Sequence, residues 1–126
     1  MARIIIADDD EFFVDLVRAA LEPLGHIVGA LPDGDDVAKV VRAKRPDLLI
    51  LDCSMPNKPG ISVLREIRQS RDYQVPVLML TGRTSYADED IAYQAGADDY
   101  LHKPVDPEKL VVHVEALLPE QLRRAG

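Results

Sequence analysis

Leu48-Leu49-Ile50-Leu51, followed at once by Asp52, is the stretch on which the fold turns. Successive side chains of a strand point to opposite faces, so four apolar residues in a row do not suit a strand wetted on one side. A run this short, entered through Pro46-Asp47, suits a strand buried on both faces, as in a parallel sheet. Ile4-Ile5-Ile6-Ala7, Ile27 to Leu31, Val77-Leu78-Met79-Leu80 and the weaker Tyr100-Leu101 repeat the pattern, each bounded by Asp, Gly or Pro.

Helical periodicity fills the gaps. Phe12, Phe13, Leu16, Val17, Ala20, Leu21 and Leu24 form one apolar stripe at spacings of three and four. Val37, Val40 and Val41 mark a second, and Ile61, Leu64 and Ile67 a third. Ser85 followed by Asp88 reads as a helix start, with Ile91 and Ala95 on the buried side. The last helix is capped by Asp106, opens with Pro107, buries Leu110, Val111, Val114, Leu117 and Leu118, and stops at Pro119. Five strand-then-helix units in 126 residues leave about 25 residues each, enough for right-handed crossovers. The expected fold is an α/β doubly wound parallel sheet, a domain over residues 1–120 with 121–126 as a tail.

Composition narrows the function. With 15 Lys+Arg against 22 Asp+Glu the formal charge is −7, which argues against nucleic-acid binding by this segment. The single cysteine, Cys53, rules out an internal disulfide or a cysteine-based zinc site. No apolar run approaches the roughly 20 residues that span a bilayer, and no signal-peptide pattern opens the sequence. A cytoplasmic protein without membrane contact is the expectation.

In open α/β sheets, functional groups gather at the carboxyl ends of the strands. Those ends carry Asp8-Asp9-Asp10-Glu11, Asp52, Thr81 and, after the fifth strand, Lys103-Pro104, whereas Pro32-Asp33-Gly34 reads as a turn. Converging carboxylates repel, and a hard divalent cation such as Mg²⁺ relieves that repulsion with oxygen ligands. With Lys103 and the Thr81 hydroxyl added, the pocket suits a phosphoryl group on an oxygen nucleophile, which a carboxylate can itself supply.

The ordered set Asp8-Asp9, Asp52, Thr81 and Lys103-Pro104 resembles the receiver domain of two-component response regulators. Ile50 to Pro56 with Gly60, and Gly96-Ala97-Asp98-Asp99-Tyr100, match the same family, and the likeness runs from Arg3 to Leu118. The resemblance implies a five-stranded sheet in the order 2-1-3-4-5 flanked by five helices. It implies that Asp52 accepts the phosphoryl group. Asp9, Asp52 and the backbone carbonyl of Ser54 would hold Mg²⁺, with Mn²⁺ as a substitute, and Asp8 would act through water. Thr81 and Lys103 would engage the phosphoryl oxygens, a cis Lys103-Pro104 bond would orient the lysine, and Tyr100 would be the switch aromatic. Ser54 and Arg83 occupy positions that tune the lifetime of the acyl phosphate. The implied partners are a sensor histidine kinase or a histidine phosphotransfer protein upstream and an unidentified effector downstream. A domain that is consumed and regenerated is not an enzyme in the usual sense.

Blander and rival readings stand beside these. Asp10 and Glu11 read as helix-start charges, Cys53 as a passive small residue, and an ordinary strand aromatic is the alternative reading of Tyr100. His26, His102 and His113 lack metal-ligand spacing. Haloacid-dehalogenase-type phosphatases also place Asp-x-Asp after a first strand, here Asp8 and Asp10, but that reading leaves Asp52 without a role. An interaction module that is never phosphorylated gains nothing from retaining the five site residues. Neither G-x-G-x-x-G nor a P-loop is present.

The Gly96 to Tyr100 segment resembles receivers of winged-helix transcription factors. That subfamily's basic dimer-interface positions are here Glu89, Ile91 and His113, and Val105 replaces its usual Phe. The expectation is therefore a monomer or a phosphorylation-dependent dimer. The sequence ends soon after Leu118, which leaves a stand-alone receiver, the expectation here, or a receiver cut from a longer regulator as the alternative.

Overall fold

The computed structural model describes residues 1–71, 73–82 and 86–123, residues 86–88 by their backbone alone. Strands and helices alternate: β1 (Arg3–Ala7), α1 (Glu11–Leu21), β2 (Ile27–Leu31), α2 (Val37–Lys44), β3 (Leu48–Asp52), α3 (Gly60–Arg68), β4 (Val77–Thr81), α4 (Tyr86–Ala95), β5 (Asp99–His102) and α5 (Pro107–Leu117). Short 3-10 turns follow α1 at Glu22–Leu24 and α5 at Glu120–Leu122. The strands pair in parallel in the order β2-β1-β3-β4-β5. The expected fold class and strand order hold.

The uninterrupted apolar runs exist because the sheet is covered on both faces. Along β3, Leu48 and Ile50 pack with Phe13, Val17, Leu110 and Val114 beneath α1 and α5. Leu49 and Leu51 point the other way, among Val41, Val63, Leu64 and Met79 under α2 and α3. All five β3 residues are buried, and so are all five of β4. Capping follows the sequence reading at both legible ends. Asp10 accepts from the Phe12 and Phe13 amides at the start of α1, and Asp106 accepts from the Glu108 amide at the start of α5.

Three details differ from expectation. β2 is the edge strand that the expected order implies, but its apolar run is not buried on both faces: Ile27 is 54% exposed and Val28 is its only buried residue. Phe12 is 89% exposed and leaves the α1 stripe to Phe13, Val17 and Leu21. Adjacent helical residues lie about 100° apart, so the two phenylalanines cannot both face the sheet. On α4 the buried side belongs to Ala92, while Ile91 is exposed. The helix start read at Ser85 lies outside the described residues, as does the end of the tail, residues 124–126. No helix among the described residues is long and apolar enough to cross a membrane.

Candidate functional site

β1 lies between β2 and β3, and the chain crosses from one side of it to the other, so the carboxyl ends of β1 and β3 flank the topological switch point. Asp8 and Asp9 leave β1 there, and Asp52 ends β3. Asp8, Asp9 and Asp52 each offer a carboxylate oxygen, and these atoms lie within 4.8 Å of one another. Asp8 and Asp52 are buried; Asp9 is exposed. Asp8 spends one oxygen on the Asp10 amide, at 2.9 Å, and the other on Lys103 Nζ, at 2.7 Å. The Lys103 ammonium also stands 3.7 Å from Asp52 Oδ1 and 4.6 Å from the centre of the Phe13 ring.

The Asp52 carboxyl is pushed up to about 6, first by burial and then by the Asp8 charge, with Asp9 adding a little. Lys103 and a hydrogen bond from the Ser54 backbone pull in the opposite direction without cancelling the shift. The negative charge of this corner is therefore only partly compensated by the protein's own groups. Three carboxylates around one point, all hard oxygen donors, fit a divalent cation of the Mg²⁺ kind. The burial of Asp8 and Asp52 raises the need for one.

The loop from β3 to α3 is held against the site by a glycine. A Cβ placed on Gly60 would stand 2.3 Å from the Asp52 carbonyl oxygen and 2.9 Å from Cys53 Cα, and the Gly60 amide donates to the Cys53 carbonyl at 3.0 Å. The Cys53 amide donates to Leu80 O at 2.9 Å, so the residue after Asp52 is tied to β4 as well.

Thr81 is buried at the end of β4, and its carbonyl accepts from the Lys103 amide. A cavity of about 160 Å³ opens beside it, lined by Cys53, Ser54, Pro59, Ile61, Thr81, Ile91 and Tyr100. Thr81, Ser54 and Tyr100 thus meet at one space next to Asp52. Tyr100 is buried, 5.3 Å from the His102 ring and 6.4 Å from that of Tyr93. The Lys103-Pro104 bond is cis. Arg83 lies outside the described residues.

The remaining candidates are placed as follows. Asp10 caps α1, accepting from the Phe12 and Phe13 amides through one carboxylate oxygen. His113 Nδ1 is 2.5 Å from Asp99 Oδ2, and His102 Nε2 is 3.8 Å from Glu89 Oε2. His26 is buried far from the site, with Nδ1 accepting from the Ala2 amide at 3.0 Å and Nε2 facing Glu115 at 3.7 Å. Phe13 and Gly60 are the two contributors whose contacts sequence reasoning did not supply. Gly60 was legible as part of a motif, Phe13 only as one of two neighbouring phenylalanines.

A family model for the response regulator receiver domain matches residues 4–115. The alkaline phosphatase synthesis transcriptional regulatory protein PhoP of Bacillus subtilis is 35% identical over 92% of this chain and 48% of its own. The DNA-binding response regulator MtrA of Mycolicibacterium paratuberculosis is 38% identical over 92% of this chain and 51% of its own. The chain thus spans about half the length of these curated relatives. Among solved structures, the receiver domain of the Pseudomonas aeruginosa sensor histidine kinase PA1611, with a magnesium ion coordinated in its active-site cleft, superposes with a TM-score of 0.83. It is 29% identical, and the match covers 92% of this chain and 96% of that one. The chain belongs to the receiver-domain family of two-component response regulators.

Proposed function

We propose that this domain, in the cytoplasm, accepts a phosphoryl group on Asp52 from the phosphohistidine of a sensor histidine kinase or a phosphotransfer protein. The observation that carries the reading is the meeting of Asp8, Asp9 and Asp52 around one point, with the Lys103 ammonium 2.7 Å from Asp8 and 3.7 Å from Asp52. Asp9, Asp52 and the Ser54 backbone carbonyl would hold Mg²⁺, or Mn²⁺ in its place, with Asp8 acting through water. The magnesium ion found in the PA1611 receiver supports that assignment. The bound cation supplies charge neutralisation for the transferring phosphoryl group.

An Asp52 carboxylate oxygen forms the new O–P bond as the P–N bond to the donor imidazole breaks; the bonding pair stays on that nitrogen, and the ring, protonated on its other nitrogen, leaves as neutral histidine. Lys103 moves from Asp8 toward a phosphoryl oxygen, and the Thr81 hydroxyl donates to another. Water later attacks phosphorus, releasing inorganic phosphate and restoring the carboxylate. Ser54 and Arg83, which stand two residues after Asp52 and Thr81 in the sequence, would set the lifetime. Thr81, moving toward the phosphoryl group, changes the cavity it shares with Tyr100, and the face made by α4, β5 and α5 shifts between two states. That face then reports to an effector, as a monomer or a phosphorylation-dependent dimer. The domain itself is a signalling acceptor rather than a turnover enzyme.

Phosphotransfer profiling tests the reading. Purified phosphorylated kinases or phosphotransfer proteins should label the wild-type domain in magnesium and leave Asp52→Ala unlabelled. Equal labelling of both, or of neither by any donor or by acetyl phosphate, would overturn it.

A further inference from the structure

We propose that Phe13 is a positioning residue for phosphoryl transfer, holding the Lys103 ammonium over the pocket by the face of its ring. This rests on the phosphoacceptor reading above. Lysine is a compact charge on a flexible four-carbon stem, and Lys103 is 21% exposed, so its position has to be imposed. Two of its neighbours are carboxylates, Asp8 at 2.7 Å and Asp52 at 3.7 Å. The third is the Phe13 ring, whose centre lies 4.6 Å from Nζ, within the distance at which the negative face of an aromatic ring attracts a cation.

The ring is fixed. Phe13 is 7% exposed, packs in the core with Val17 and Leu110, and sits in the first turn of α1, where Asp10 accepts from its amide at 3.3 Å. Burial alone calls only for an apolar residue at that position; the ring adds a cation-attracting face. Its role differs from that of the carboxylates. When a phosphoryl group arrives on Asp52, Lys103 exchanges Asp8 for a phosphoryl oxygen, and Asp52 changes charge. The ring is neutral before and after, so it restrains the lysine throughout the exchange. Phe12, one residue earlier and 89% exposed, supplies an internal control of the same residue type on the same turn.

The test compares wild type with Phe13→Leu, with a ring-fluorinated phenylalanine at position 13 that keeps the shape but drains the ring face of negative charge, and with Phe12→Leu. In the magnesium-free protein, the Lys103 side-chain methylene protons next to Nζ should be shifted upfield by the ring, and Phe13→Leu should abolish that shift. With acetyl phosphate and magnesium, Phe13→Leu and the fluorinated protein should both lose roughly threefold to thirtyfold in maximal phosphorylation rate. Half-saturation by magnesium should change little, and Phe12→Leu should match wild type. A fluorinated protein phosphorylated at the wild-type rate, or lysine resonances unchanged in Phe13→Leu, would overturn the proposal. Should Phe13→Leu fail to fold, the fluorinated protein decides alone. A wild-type protein that takes no phosphate on Asp52 would instead sink the phosphoacceptor reading, while the magnesium-free spectra still decide whether the ring holds the lysine.

Discussion

Gly60 and Asp52 touch through their backbones: a Cβ on Gly60 would come to 2.3 Å from the Asp52 carbonyl oxygen. The start of α3 therefore lies directly against the end of β3, and the loop between them is folded back over the acceptor. Gly60→Ala should force these two segments apart, at a cost of about 1–3 kcal/mol. Urea unfolding would measure the loss, and beryllofluoride binding should weaken in parallel because the Asp52 carboxylate moves. A variant with wild-type stability and wild-type affinity would show that the contact is readily relieved.

The charge on Asp52 is a burden on the magnesium-free fold. Its ordinary value of 3.8 is raised to about 6, chiefly by burial and then by Asp8. A raised folded value means the group favours folding fully below 3.8 and loses that contribution as pH climbs through 6. Asp52→Asn should therefore be more stable than wild type at pH 7 without magnesium, by on the order of 2 kcal/mol, and the gap should close near pH 3. Unfolding curves across this range check the sign. Magnesium should reverse the order by binding the wild-type carboxylates.

Lys103→Met removes the only ammonium or guanidinium found on Asp8 among the described residues, leaving a buried carboxylate with the Asp10 amide. Breaking such a pair costs on the order of 3 kcal/mol in the absence of a cation. Chemical denaturation with and without magnesium would show the loss and its partial recovery.

His26 gives the fold a second pH dependence, with the opposite sign. Burial lowers its proton affinity more than Glu115 raises it, and its Nδ1 is engaged by the Ala2 amide. A lowered value for a base means stability is intact above its ordinary 6.5 and drains away as pH falls through the folded value. His26→Asn, which keeps an acceptor for Ala2, should flatten the loss of stability between about pH 7 and 5. Thermal unfolding of both proteins over that interval measures the difference in slope.

Much of this was legible from residue order because burial on both faces leaves unbroken apolar runs. Leu48–Leu51 and Val77–Leu80 are apolar throughout because helices cover both sides of those strands. The candidate site was legible because three charged residues, Asp8, Asp52 and Lys103, and the Thr81 hydroxyl all follow or end strands on one side of the sheet. What escaped depends on three dimensions. β2 carries an apolar run like the others, and the run itself does not show that Ile27 lies half in solvent. Phe12 and Phe13 share one residue type, and a rotation of one position decides which is buried and which lies in solvent. The Phe13–Lys103 contact joins residues 90 positions apart in sequence and follows from no local pattern.

The most direct measurement is to map the modified residue after incubating the protein with acetyl phosphate and magnesium, by trapping the acyl phosphate and sequencing the fragments. The expected result is one adduct per chain, on Asp52, formed only with the cation present and absent from Asp52→Ala. An adduct on Asp8, or none at all in a folded protein saturated with magnesium, would contradict the assignment.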